Sequence, residues 1–366
     1  MRRMLSCWLL VFGSFFMGQA SAALTISLIP QQPLIERGRS DQRLNFDLLF
    51  ANDSDEALQL KSLELTLFDR DGRFFAQQRL DGNGDSSTMS ILTVPNRALP
   101  AKGRLVVFNP FWRFGADTWL GDLRYVAVFS GGEGQPEQRV NLRVAPREFV
   151  PRNRLQLPVG GEVFVHDGHD LTAHHRRLDI TGGMTMHFGI TGNFMRYAHD
   201  FSVADTQGRL YRGDGARPED WFGFGVPILA TGDGVIVETH DGMADNRKGV
   251  PPPFDQAAIM KNLKLFLGNY VIIDHGNDEF SVFAHLQNGS VKVKPGQRVA
   301  RGAQIGGMGM SGDAFLVHLH YQLQSGRDFE EGLPAYFERV RVRDGNGWST
   351  PATIPVDSGD VVMTAL

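Results

Sequence analysis

Two histidines, His318 and His320, lie in the run Val317-His318-Leu319-His320-Tyr321-Gln322-Leu323, which alternates apolar and polar residues throughout. Alternation of period two predicts a strand with both imidazoles on one face and Val317, Leu319, Tyr321 and Leu323 on the other. Such a pair suits a metal ion. One ring can ligate zinc while its neighbour hydrogen-bonds the attached water, provided a carboxylate and a further histidine arrive from elsewhere. Taken alone, the same pattern also describes an exposed strand with two solvated histidines.

A second polar face is predicted at Arg196-Tyr197-Ala198-His199-Asp200-Phe201-Ser202-Val203. Alternation puts Arg196, Ala198, Asp200 and Ser202 on one side and His199 on the other, so His199 is a poor co-ligand for its neighbour Asp200. A carboxylate on a strand is more often solvated or ion-paired than a ligand. All 11 histidines lie at or beyond His166, so the chemistry is concentrated in the second half of the chain. His166, His169 and His240 stand beside Asp or Gly in turn-like contexts and read as surface residues.

The elements that must position these groups are mostly strands. The chain has 366 residues, 42% of them hydrophobic, enough for a full core and long enough for two domains. Arg2 and Arg3, the apolar run Met4 to Met17 and the small residues Ala20 and Ala22 read as a secretory signal peptide, residues 1–22, cut after Ala22. The single cysteine, Cys7, falls in that leader, so the mature chain is read as thiol-free, exported to the periplasm or secreted, and soluble. Removing Arg2 and Arg3 leaves 35 basic residues against 41 acidic ones, a charge of −6, which gives no reason to expect nucleic acid or an anionic membrane as partner.

From residue 23 to about 150, short alternating runs such as Leu44 to Phe50, Leu63 to Phe68, Arg104 to Phe108, Tyr125 to Phe129 and Val140 to Val144 are separated by turn residues including Asp81 to Asp85 and Gly131 to Gly134. That pattern predicts an antiparallel immunoglobulin-like β-sandwich, with Phe108, Phe111, Trp112, Phe114 and Trp119 as core and corner packing or, less often for such a cluster, the lining of a sugar or peptide groove. Pro146, Pro151 and Pro158 punctuate the passage to the second half. There, strands are expected at Val226 to Ala230, Gly234 to Glu238, Asn269 to Asp274, Phe280 to His285 and Ser290 to Lys294. Only Phe254 to Leu267, after three prolines, looks helical. The run Gly307 to Gly312 matches G-x-G-x-x-G, yet a histidine strand follows rather than a phosphate-binding helix, so a dinucleotide site is not expected.

Asp200, Gly225 to Gly234, Gly268 to Asn277, Phe283-Ala-His-Leu286, Lys294 to Gly306 and His318-Leu-His320-Tyr321 together resemble the lysostaphin/LytM-type zinc metallopeptidases that act on peptidoglycan. The resemblance covers roughly residues 160 to 325. It implies an antiparallel β-sheet peptidase domain, residues 151–330, followed by a C-terminal extension, 331–366, packed on it. It also implies Zn2+ held by two histidines and an aspartate, with Asp200 and His320 as ligands and His285 and His318 as the catalytic pair. The family's usual first histidine stands four residues before the aspartate, where this chain has Arg196. A His-Arg-Arg segment upstream resembles that of other relatives and makes His175 the expected first ligand, with His174 and His187 as alternatives. His175 and Asp179 also have the four-residue spacing, but pairing them would leave the motif at Asp200 unexplained. The resemblance implies an exported zinc endopeptidase cleaving peptidoglycan peptides, with the sandwich docking to the wall or to a periplasmic protein partner. The alternatives are a catalytically inactive wall-binding domain that activates a separate amidase, and, more weakly, an adhesive or sugar-binding module.

Overall fold

The computed structural model describes residues 23–81, 94, 96–132, 134–345 and 347–365. The expected leader, residues 1–22, and most of the expected turn at 81–85 lie outside the described residues. The protein is mainly β, with antiparallel sheets gathered around two large apolar cores.

In the first half, a three-stranded sheet (Leu24–Ile29, Asp47–Asn52, Arg104–Phe108) faces a five-stranded one built on Leu58–Phe68 and Leu123–Ser130. Leu48, Phe50, Leu105 and Val107 from one sheet and Leu63, Leu65, Tyr125 and Phe129 from the other fill the space between them. The two sheets thus share one apolar core, the kind of packing expected between paired sheets. Of its aromatic cluster, Phe111 and Phe114 are buried, and Phe108 lies beneath the guanidinium groups of Arg176 and Arg177. A small third sheet, Arg147–Glu148, Leu34–Arg37, Asp41–Leu44 and Arg113–Gly115, flanks the sandwich.

Among the described residues, the second half is built on one long twelve-stranded sheet, with Pro227–Leu229 and Gln304–Gly307 paired in a small sheet of their own. The centre of the long sheet runs through Asn269–Asp274, Phe280–Leu286, Leu319–Gln324, His199–Ser202 and Val163–Asp167. Both faces are covered, which is why these strands read as near-continuous apolar runs. Val271, Ile273, Phe283, Leu319, Tyr321 and Phe201 enter the main core, while Tyr270, Ile272, Val282 and Ala284 pack with Leu267 on the opposite face. The turn between the two hairpin strands places Asn277 and Asp278 at φ of 58°, left-handed conformations that short polar residues tolerate. Within the C-terminal segment expected to pack on this half, Val361–Thr364 pairs with Val163–Asp167 and with Phe337–Asp344.

Three expectations are corrected. Ser290 to Lys294 is extended chain outside any strand. Phe254 to Leu267 is not one helix but a single α-turn, Gln256–Ile259, followed by a 3-10 turn, Leu263–Leu267. Its apolar stripe is incomplete, and packing against the neighbouring loop decides its shape. The strand at Asp200 begins at His199, so alternation does not extend back to Arg196.

Candidate metal centre

Strand register brings the predicted residues together. Asp200 is directly paired with His320, and His320 with Ala284 on its other side. On the face opposite the main core, His318, His320, Gln322 and Gln324 therefore form one polar row, and all four are buried rather than solvated. His175 enters from a 3-10 turn, His175–Arg177, and is fully buried. His285, next to last in its strand, has φ 61°, where the register with Asn269–Asp274 shifts. A bulge of this kind re-aims a side chain, and left-handed backbone at a non-glycine residue is a strain proteins keep at functional sites. Behind it, Gly268 at φ 65° allows the chain to lie against Ser311, where a Cβ would come within 2.5 Å of the carbonyl carbon.

The hydrogen bonds fix which nitrogen of each ring carries the proton, because a carbonyl oxygen can only accept. His175 Nδ1 lies 2.9 Å from the Gly168 carbonyl oxygen, His318 Nδ1 3.0 Å from that of Leu316, and His285 Nδ1 2.9 Å from that of Ser311. For His320 the fixed atom is Nε2, 2.9 Å from Gln322 Oε1. Gln322 in turn donates to Gln324, which donates to the Gly326 carbonyl, so the amide orientations along the strand are set by that relay. In each neutral ring the remaining nitrogen bears a lone pair.

Three of those lone pairs converge on one carboxylate oxygen. Asp200 Oδ1 is 3.1 Å from His320 Nδ1, 3.4 Å from His175 Nε2 and 3.6 Å from His318 Nε2. Burial pushes His175 and His318 below the ordinary histidine range, against the pull of Asp200, so both rings are neutral near pH 7. His175 Nε2 is a buried polar atom without a hydrogen-bond partner. Lone pairs facing an anionic oxygen repel unless a cation stands among them. The distances match the spacing of about 3.3 Å between donors that tetrahedral zinc with bonds of about 2.0–2.2 Å requires. The residues present therefore fit a zinc ion held by nitrogen and oxygen.

His285 lies beside this group, its ring 4.8 Å from that of His318 and 5.8 Å from that of His320, centroid to centroid. Burial, then the neighbouring histidines, keeps its pKa well below normal. Next to the histidines opens a cavity of about 230 Å3, lined by His174, His285, Asp313 and His320 and walled by Met184, Phe194, Leu263, Phe266 and Phe329. Two segments roof it. Ile190 and Phe194 from one meet Ile259 and Leu263 from the other in an apolar cluster of their own.

Of the alternatives for the first histidine, His174 stays beside the group and His187 lies apart from it. His174 is exposed and hydrogen-bonds Asp167 through Nδ1. Asp167, which sequence reading missed, is the cross-strand neighbour of Asp200 and joins His174, His175 and Asp200 in a compact group of donors. Its only signal was a strand pairing that no local pattern reveals. His187 Nε2 donates to the Met260 carbonyl at 2.9 Å, tying the two roofing segments together. Asp179 is held in its own turn by Thr181. His199 points away from Asp200, to the Val356 carbonyl, and is fully buried. His169 is not a surface residue: it is buried, with Nε2 3.0 Å from both carboxylate oxygens of Glu36. Arg196 also turns away, donating to Asp47 Oδ2 at 2.8 Å and to Glu331.

The model of peptidase family M23 matches residues 220–330, a span that holds His285, His318 and His320 and leaves His175 and Asp200 upstream. Two curated relatives come from Vibrio cholerae serotype O1. Peptidoglycan DD-endopeptidase ShyA is 34% identical over 99 residues, and peptidoglycan DD-endopeptidase ShyC 35% identical over 98. Each match covers 27% of this chain and 17% of the relative's length. The catalytic domain of the antimicrobial peptidase lysostaphin from Staphylococcus simulans aligns at 22% identity over 40% of this chain and 78% of that one, with a TM-score of 0.24, too low to carry a structural argument. No helix among the described residues is long and apolar enough to cross a membrane. Residues 220–330 of this chain are a peptidase family M23 domain of the LytM type.

Proposed function

We propose that the protein is an exported zinc metalloendopeptidase that hydrolyses peptide bonds of peptidoglycan, with His175, Asp200 and His320 as metal ligands and His285 and His318 as the catalytic pair. The observation that carries the reading is the convergence of three imidazole lone pairs on Asp200 Oδ1. The cell-wall DD-endopeptidase relatives support the substrate class, and the leader-like residues 1–22 support export.

When bound, zinc supplies a Lewis acid and lowers the pKa of an attached water. The chain's residues supply the rest. His318, with Nδ1 committed to Leu316, offers Nε2 as the base that takes the proton of the attacking water. His285 is likewise committed at Nδ1, to Ser311, so its neutral ring presents an acceptor; it donates to a developing oxyanion or leaving amine only after gaining a proton. The two rings are near enough to divide those tasks. The apolar roof limits water around the reacting bond and narrows what enters.

The test is metal analysis of the purified protein together with digestion of purified sacculi. The expected result is about one zinc per chain, release of peptide-cleaved fragments that stops with chelator, and loss of both in His320→Ala. A folded protein that takes up no zinc after loading rejects the reading and leaves the non-cleaving activator.

A further inference from the structure

The first histidine is gripped from the other half of the molecule. Arg176, next in sequence to His175 and fully buried, spends its guanidinium on the sandwich side: Nε donates to Asn45 Oδ1 at 2.7 Å, one terminal nitrogen to Asp47 Oδ1 at 2.6 Å and the other to the Phe46 carbonyl at 2.7 Å. The His175 ring is held the same way at one remove. Its Nδ1 partner is the Gly168 carbonyl, and the adjacent His169 is anchored through its ring to Glu36 and through its carbonyl to Asn45 Nδ2 at 3.2 Å. Arg196, standing where the resemblance places the usual ligand histidine, reaches the second oxygen of the same Asp47. All of these groups are buried, so none is a loose surface pairing.

We infer that the N-terminal sandwich is a structural part of the metal site, with Glu36, Asn45 and Asp47 acting as positioning residues that hold the turn bearing His175 at bonding distance from Asp200 and His320. The inference rests on the zinc reading above. It explains the departure from local spacing. A histidine on a short 3-10 turn, 25 positions before the aspartate, has no strand to fix it. The acceptors of Asn45, Phe46 and Asp47 supply the rigidity that a strand position would have provided. The two halves then form one working unit rather than a peptidase with a detachable docking module.

The experiment measures zinc affinity of the full mature chain by competition with a chromophoric chelator. It records visible absorption of the cobalt(II)-loaded protein, and circular dichroism and urea unfolding of the metal-free forms. Asp47→Asn, Asn45→Ala and Glu36→Gln are expected to weaken zinc binding by about 10- to 100-fold, as loss of outer support does at metal sites, and to change the cobalt spectrum while the fold persists. Asp357→Asn is the control. Asp357 also bridges the halves, accepting from Arg39 and Arg43; it hydrogen-bonds neither Arg176 nor His169, and His169 feels its charge only through space. It should leave zinc affinity within about twofold.

Should Asp47→Asn fail to fold, Asn45→Ala and Glu36→Gln decide the matter. Folded variants with unchanged affinity and spectrum overturn the inference while leaving the zinc reading intact, as does an equal loss in Asp357→Asn. A wild-type chain that binds no zinc removes the reading itself.

Discussion

Two aspartates, Asp47 and Asp200, are both buried and both ringed by nitrogen, yet they do opposite things. Around Asp47 every facing nitrogen carries a proton and a permanent charge: Arg176 meets one oxygen and Arg196 the other. Around Asp200 the facing nitrogens have no proton to give, because their partners across each ring are carbonyl or amide oxygens. The first cluster is complete. The second holds an arrangement of like polarity that only a cation relieves. Burial and ligand type alone do not separate a structural ion pair from a metal site; the direction of the donors does.

The sharpest break of that comparison is to neutralise each aspartate in the metal-free protein. Asp47→Asn strips the counter-charge from two buried guanidinium groups and should cost about 3–5 kcal/mol in urea unfolding. Asp200→Asn replaces an acceptor facing lone pairs with an amide that can donate to one of them. Its metal-free stability should stay within about 1 kcal/mol of wild type or rise, while zinc binding is lost. Equal destabilisation by the two substitutions would mean that Asp200 is an ordinary buried ion pair.

A smaller effect tests the relay that fixes His320. Gln322 Oε1 accepts a hydrogen bond from the ring's Nε2–H and so leaves the Nδ1 lone pair facing Asp200. Gln322→Ala frees the tautomer and should weaken zinc binding by about tenfold with little change in metal-free unfolding. Unchanged affinity would show that the row beyond His320 is packing alone.

How far the sequence carried depended on the range of the interaction. The polar face of His318 and His320 was legible because strand alternation is local, and Gln322 and Gln324 continue it at the same period. Asp200 was legible through the motif around it. The place of His175 could be expected only from resemblance, since its meeting with Asp200 depends on a turn held by residues some 130 positions away. The misreading of Arg196 and His169 has the same origin. Alternation assigned Arg196 to the metal face and turn-like neighbours assigned His169 to the surface. Both are instead claimed by Asp47 and Glu36 of the other half. The mixture of α-turn and 3-10 turn at 256–267 was not legible either, because its apolar residues answer to Ile190 and Phe194 across the cavity.

A third acidic cluster, nearer solvent, gives the smallest effect and fixes its sign. Glu238 accepts from Lys264, Tyr270 and Arg327, and Lys264 belongs to the roofing turn Leu263–Leu267. Partial burial works to raise its pKa, but those three donors prevail and lower it from 4.5 to about 2. A carboxylate depressed on folding adds stability that is present in full above its unfolded pKa and is lost as pH falls through the folded one. The stability gap between wild type and Glu238→Gln should therefore be level above about pH 5.5 and close between pH 4.5 and about 2. Because water screens the cluster, the level gap should be under about 1 kcal/mol. Urea unfolding of both proteins across that range, at one salt concentration, reads it directly. A gap that widens on acidification would mean that the lysine, tyrosine and arginine do not favour the ionised form, and that the roof is fastened by its apolar contacts alone.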